Sequence, residues 1–195
     1  MRRLDFELKR QLLHLLLGIA IVYFFYAGWL KAWMLFIAII LGLILSLISR
    51  KRKLPIISSL LSILERKEDI NKFPGKGLIA YLVGSFLAMV VFQRDIASAS
   101  IMILALGDSI SRLVGPFGKI KHPFDNTKFV EGLVAGALAA FIGARFFVKP
   151  AEAIIASIIA MFLEGMNPII GKYKINDNIT IPIVAGAVIW VIRTF

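Results

Sequence analysis

Asp108, Arg112, Lys119, Lys121, Asp125, Lys128 and Glu131 crowd one stretch of this chain, GDSISRLVGPFGKIKHPFDNTKFVEG at positions 107–132. The stretch leaves one apolar segment and enters the next. A carboxylate at membrane depth is costly, so by default Asp108 marks a functional site. The bend around Gly115, Pro116 and Gly118 lets backbone N–H groups approach an anion, and Lys119, Lys121 and Lys128 stand beside it, as a phosphate requires. Asp108 and Glu131 flank that bend; two carboxylates there suit a divalent cation bridging phosphate oxygens. The expected chemistry is nucleotide-phosphate and metal binding at a membrane surface. The chain has no GxxxxGK[ST] loop, no GxGxxG fingerprint and no HExxH pair. With 2 histidines and no cysteine, a histidine-rich or thiolate metal centre is excluded, which leaves oxygen ligands and Mg²⁺.

The elements that must position these groups are apolar. The chain of 195 residues is 59% hydrophobic, with a mean hydropathy of +0.85. A water-soluble domain of this size is less apolar. The net charge of +11 does not point to nucleic acid, because lysines and arginines gathered at membrane edges account for it. Hydropathy predicts seven spans, at about 12–26, 32–48, 78–92, 96–114, 129–147, 153–170 and 179–192. A further piece at 54–64 is apolar but too short to cross a core of about 30 Å, and reads as an interfacial helix. No cleavable signal peptide is expected, since the first apolar run lacks a small-residue cleavage site. The expected fold is an all-α, polytopic membrane helix bundle forming one domain. With the amino terminus inside, the inner segments hold 18 of the 23 lysines and arginines and the outer ones 5. This asymmetry predicts a cytosolic amino terminus and an outer carboxyl terminus.

That topology gathers the unusual polar residues on one side. Arg10 and His14 share a face near the inner end of the first span, as Asp108 and Arg112 do in the fourth. Lys128 and Glu131 open the fifth span, and Glu131 also suits a helix amino end. Glu164 and Asn167 lie near the inner end of the sixth. Asp177 and Asn178 fall in the inner loop before the seventh, with Asn178 as its cap, and Asp125 reads as a turn residue. Arg145, Lys149 and Glu152 lie on the other side and read as anchors.

The pattern Gly107-Asp108, Gly115, Gly118-Lys119, then Lys128-Phe129-Val130-Glu131-Gly132 resembles the CTP-dependent lipid kinases, the dolichol, phytol and diacylglycerol kinase relatives within the membrane cytidylyltransferase superfamily. Glu7, Arg10 and His14 resemble the family's amino-terminal E-x-x-R-K-x-x-H. Glu164, and Asp177-Asn178 with Pro182, resemble its later acid and D-N-x-x-x-P. Gln11 departs from that pattern, as does Phe129, where a hydroxyl residue usually follows the lysine; Thr127 stands just before Lys128 instead. The resemblance implies transfer of the γ-phosphate of CTP to a membrane-embedded lipid alcohol, most simply a polyprenol, at the cytosolic face. It implies phosphate contacts from Arg112, Gly115, Gly118, Lys119, Lys121, Thr127 and Lys128, and Mg²⁺ on Asp108 and Glu131 with Asp177. Asp108 or His14 would take the hydroxyl proton. Two other readings stand beside it: a cytidylyltransferase of the same fold, and a small ion-coupled transporter whose intramembrane acids are ion sites.

Overall fold

The computed structural model describes residues 2–51, 73–125, 127–166, 169–170, 173–174 and 176–195. The expected interfacial helix at 54–64 and Asn167 lie outside these residues. The elements are α1 (Arg2–Tyr26), α2 (Ala32–Lys51), α3 (Lys76–Val91), α4 (Arg94–Met102), α5 (Ser109–Val114), α6 (Val130–Ala144), α7 (Pro150–Met166) and α8 (Asp177–Thr194). A π-helical segment, Ile103–Asp108, joins α4 to α5, and a 3₁₀ turn, Gly115–Phe117, follows. A helical element stands at every span expected from hydropathy. Among the described residues, four helical stretches are long and apolar enough to cross a membrane: Asp5–Tyr26, Ala32–Ser49, Arg94–Phe117 and Asp177–Thr194. The other helices are apolar but shorter; α3 has 16 residues and α6 has 15.

Three expectations change. The first span begins much earlier, because the charged segment before it is helical from Arg2. The sixth runs to Met166, and Ile169–Ile170 (β1) pairs antiparallel with Tyr173–Lys174 (β2). An Asn-Pro pair follows Met166 in the sequence, and a residue before proline disfavours helical backbone. At the start of α8 the cap is Asn176, whose side chain accepts from the Asn178 N–H at 3.0 Å. Asp177 and Asn178 therefore lie in the first helical turn, not in a loop, and their side chains are aimed by the helix.

The core is built around the rod formed by α4, the π segment and α5. Residues 96–101 are all buried, as are Ile103, Leu104 and Ala105. About that rod sit α1, α6, α7 and α8, while α2 packs on α3. Small residues let helices approach: a Cβ on Gly136 of α6 would stand 2.7 Å from the carbonyl oxygen of Gly107. This close packing of backbones is the usual means of association where lipid removes the hydrophobic drive. At the periphery, α2 leaves Trp33, Phe36, Leu41 and Leu47 half exposed or more. Such faces are compatible with a bilayer and costly in water.

Candidate functional site

Asp108 closes the π segment, and the residue is only 3% exposed. π turns inside α-helices are frequent at functional sites because they re-aim a side chain. Four residues later, Arg112 donates through Nε to Asp108 Oδ1 at 2.8 Å and through Nη2 to Asp177 Oδ2 at 3.2 Å. One planar guanidinium thus ties α5 to α8, a fork that a lysine would not reproduce. Lys128, ahead of α6, donates Nζ to the Glu164 carboxylate and to the Glu164 backbone carbonyl on α7. The same Nζ lies 4.0 Å from Asp177 Oδ2. Four elements, far apart in sequence, meet here at one end of the bundle.

Asp108, Glu164 and Asp177 each present a carboxylate oxygen within 4.8 Å of the others. All three are buried, and Glu164 Oε2 has no hydrogen-bond partner among the described residues. A buried carboxylate oxygen left without a donor requires an explanation. Hard oxygen donors at this spacing fit a divalent cation such as Mg²⁺. The set differs from the expected one: Glu164, not Glu131, is the third acid beside Asp108 and Asp177.

Glu131 has another task. Its Oε1 accepts from the backbone N–H of Lys119 at 2.7 Å and of Ile120 at 3.1 Å. The N–H groups expected to cradle phosphate are therefore already engaged by this carboxylate. Gly118 N–H donates to Gly115 O at 2.9 Å. The glycines of the bend serve close approach instead. A Cβ on Gly118 would stand 2.6 Å from Phe129 Cβ, and one on Gly132 would stand 2.7 Å from both Ser111 O and Gly115 Cα. The K-x-x-E-G segment thus sews the bend to the start of α6 and so fixes Lys128. Thr127 is likewise committed, with both N–H and hydroxyl donating to Asp125 Oδ1 at 2.8 and 2.7 Å. Asp125 is a turn residue, as expected. Lys119 and Lys121 are exposed at the rim, and Gly115 has open space on its Cβ side.

At the α1 side, Glu7 Oε1 accepts from Arg10 Nη2 at 2.5 Å and from Gln11 Nε2 at 2.7 Å. The Ser109 hydroxyl donates to the Gln11 carbonyl at 3.3 Å, which sets α1 against the residue after Asp108. His14 is buried with its ring 5.3 Å from that of Tyr81 on α3. Asn178 donates Nδ2 to Gly77 O at 3.1 Å and so ties α8 to α3.

Sequence reasoning passed over Tyr81 and assigned His122 no role. Tyr81 is fully buried in α3. His122 is also buried, beside Phe124 and Phe162, with Nε2 against Gly165. A single tyrosine in an otherwise apolar span was the available signal for Tyr81. For His122 there was none, because its burial depends on α7.

The opposite end holds a second cluster. Glu152 is buried and bound by Arg193 through Nε and Nη2 at 3.1 and 3.0 Å, and Arg193 Nη1 reaches Asp95 at 2.6 Å. Every carboxylate oxygen of Glu152 is occupied there, so Glu152 is a buried staple joining α7 to α8 and not the surface anchor expected.

Two relatives match over nearly the whole chain. An uncharacterized protein of Methanocaldococcus jannaschii is 29% identical over 190 residues, covering 94% of this chain and 92% of the relative. An uncharacterized protein of Rickettsia prowazekii is 27% identical over 187 residues, covering 92% and 91%. No protein-family model matches the chain. No solved structure matches it.

Proposed function

We propose that this protein is an integral-membrane, CTP-dependent lipid-alcohol kinase acting on a polyprenol. One observation carries the reading: three buried carboxylates, Asp108, Glu164 and Asp177, converge within 4.8 Å while Arg112 and Lys128 interleave them. An acid set for a cation, with cations able to meet phosphate oxygens, is what phosphoryl transfer asks of a protein. Such transfer needs positioning and charge neutralisation more than covalent participation. The residue pattern that resembles the lipid kinases supplies the donor and the acceptor class. In this reading all seven helical rods span the bilayer, with the amino terminus and the carboxylate cluster on the cytosolic side and the carboxyl terminus outside.

The alcohol oxygen bonds to the γ-phosphorus of CTP, the bond from that phosphorus to the β-bridging oxygen breaks, and CDP leaves. The hydroxyl proton passes to a carboxylate or to His14. Mg²⁺ held by Asp108, Glu164 and Asp177 would neutralise charge on the phosphate oxygens. Arg112 and Lys128 exchange part of their carboxylate contacts for phosphate. Glu131 keeps the bend folded so that Lys119 and Lys121 line the entrance. A long apolar tail explains the embedded fold, since it stays in lipid while its head meets a soluble triphosphate.

The test is purified protein with γ-labelled CTP, Mg²⁺ and a polyprenol. The expected result is label in the lipid phase, lost in Asp108→Asn. Lipid-phase label from α-labelled CTP would replace the reading with cytidylyl transfer. Absence of any labelled lipid with polyprenol, phytol and diacylglycerol alike would overturn it.

A further inference from the structure

Two side chains on neighbouring helices, one of them His14, which the reaction above offers as a proton acceptor, each hold a polar atom without a partner. His14 Nδ1 and Tyr81 Oη are buried and accept or donate no hydrogen bond among the described residues. Their rings touch, 5.3 Å apart and tilted by 60°, yet the two polar atoms do not bond to each other. Orphaned buried polar groups are costly, and each calls for an explanation, a bound ligand being one. Gln11 Oε1, one turn before His14, is buried and unpartnered as well. The Tyr81 hydroxyl rests on Gly18 of α1, where a Cβ would occupy its place. The bond from the Ser109 hydroxyl to the Gln11 carbonyl sets this turn of α1 beside the residue that follows Asp108.

The position suits a lipid. The backbone of α1 packs along α4, the π segment and α5, while α2 packs on α3. The His14–Tyr81 contact bridges α1 to α3. On α1 the partly exposed Leu17 lies one turn beyond His14 on the same side of the helix, whereas Leu12 and Leu16 face away from it. A long apolar chain would reach the pair past Leu17, between α1 and α3, with only its polar head reaching inward.

We propose that His14 and Tyr81 form the acceptor subsite: they bind the primary hydroxyl of a long-chain alcohol, with Nδ1 accepting from the hydroxyl and the Tyr81 O–H donating to its oxygen. This rests on the lipid-alcohol kinase reading, and it names the residues that recognise the alcohol. It also explains why an unpartnered tyrosine stands where phenylalanine would cost less.

The decisive variant is Tyr81→Phe, which keeps the ring and removes only the orphaned hydroxyl, so folding is retained or improved. The expected result is a KM for polyprenol raised roughly 3- to 10-fold with the KM for CTP unchanged. His14→Asn is expected to act in the same direction. Equal loss of affinity for both substrates, or no change for the alcohol in either variant, would overturn the subsite. A second arm does not need turnover. A polyprenol carrying a diazirine beside its hydroxyl is photolysed with the protein in detergent, without CTP. Labelling of the peptides holding His14 or Tyr81, competed by plain polyprenol, upholds the subsite even if wild-type protein transfers no phosphate. Labelling elsewhere, or labelling unaffected by competitor, overturns it whatever the kinase assay gives.

Discussion

Lys128, just ahead of α6, donates to both the side-chain carboxylate and the backbone carbonyl of Glu164 on α7. The lysine thereby closes the end of α7, whose last carbonyls have no intrahelical donor, and holds one of the three converging acids. Structure and chemistry are joined in that one contact. Removing either partner strands a buried charge, which in such pairs costs about 3–5 kcal/mol. Glu164→Gln and Lys128→Met are each expected to lower the melting temperature and to reduce transfer by at least about 100-fold. The double variant should be no worse than the poorer single one. Additive losses in a double-mutant cycle would mean the two act independently.

Mg²⁺ should stabilise the protein through the carboxylate cluster. At 100 times its dissociation constant a ligand adds about 2.7 kcal/mol to stability. The expected outcome is a rise in melting temperature with Mg²⁺ in wild type and in Glu131→Gln, and none in Asp177→Asn. This comparison separates Glu164 from Glu131 as the third ligand: a Mg²⁺ response lost in Glu131→Gln and kept in Glu164→Gln would restore the set inferred from sequence.

The bend before α6 should be sensitive to a single methyl. A side chain on Gly132 would meet Ser111 O and Gly115 Cα at 2.7 Å, both backbone atoms that cannot move aside cheaply. Overpacking of this kind costs about 1–3 kcal/mol. Gly132→Ala is expected to raise the KM for nucleotide by roughly 10-fold as Lys128 shifts. Glu131→Ala, which frees the Lys119 and Ile120 N–H groups, should do the same with less loss of stability. Unchanged nucleotide kinetics in both variants would remove the bend from the site.

The far cluster should matter for stability alone. Arg193→Ala leaves the buried Glu152 carboxylate without its fork, though partial exposure of Arg193 and Asp95 reduces the penalty. A loss of about 2 kcal/mol is expected. Thermal unfolding in detergent should record it while the KM for both substrates stays as in wild type. Adding Glu152→Gln to Arg193→Ala should recover part of the loss, because the uncompensated charge is gone.

Apolar patterning along the chain was enough to read a helical fold and roughly where its helices lie, several of them compatible with a membrane. Apolar runs at helical length have one physical solution in lipid, because every backbone polar group must be satisfied within the segment. The sequence by itself also singled out Asp108, Lys128, Glu164 and Asp177, since ionisable groups within or beside apolar spans are expensive enough to be conspicuous. Their partnership lay beyond it. Glu131 and Glu164 are equally acidic residues at helix ends, and only the packing of α6 on α7 decides that one ties down a bend and the other joins the cluster. Asn176 rather than Asn178 became the cap because the starting residue of α8 depends on backbone geometry and not on composition. Tyr81 passed unnoticed for the same reason: an aromatic residue in an apolar helix is ordinary until the neighbouring helix leaves its hydroxyl without a partner. Contacts between residues many turns apart arise from how whole helices lie against one another, and that arrangement is a property of the folded chain.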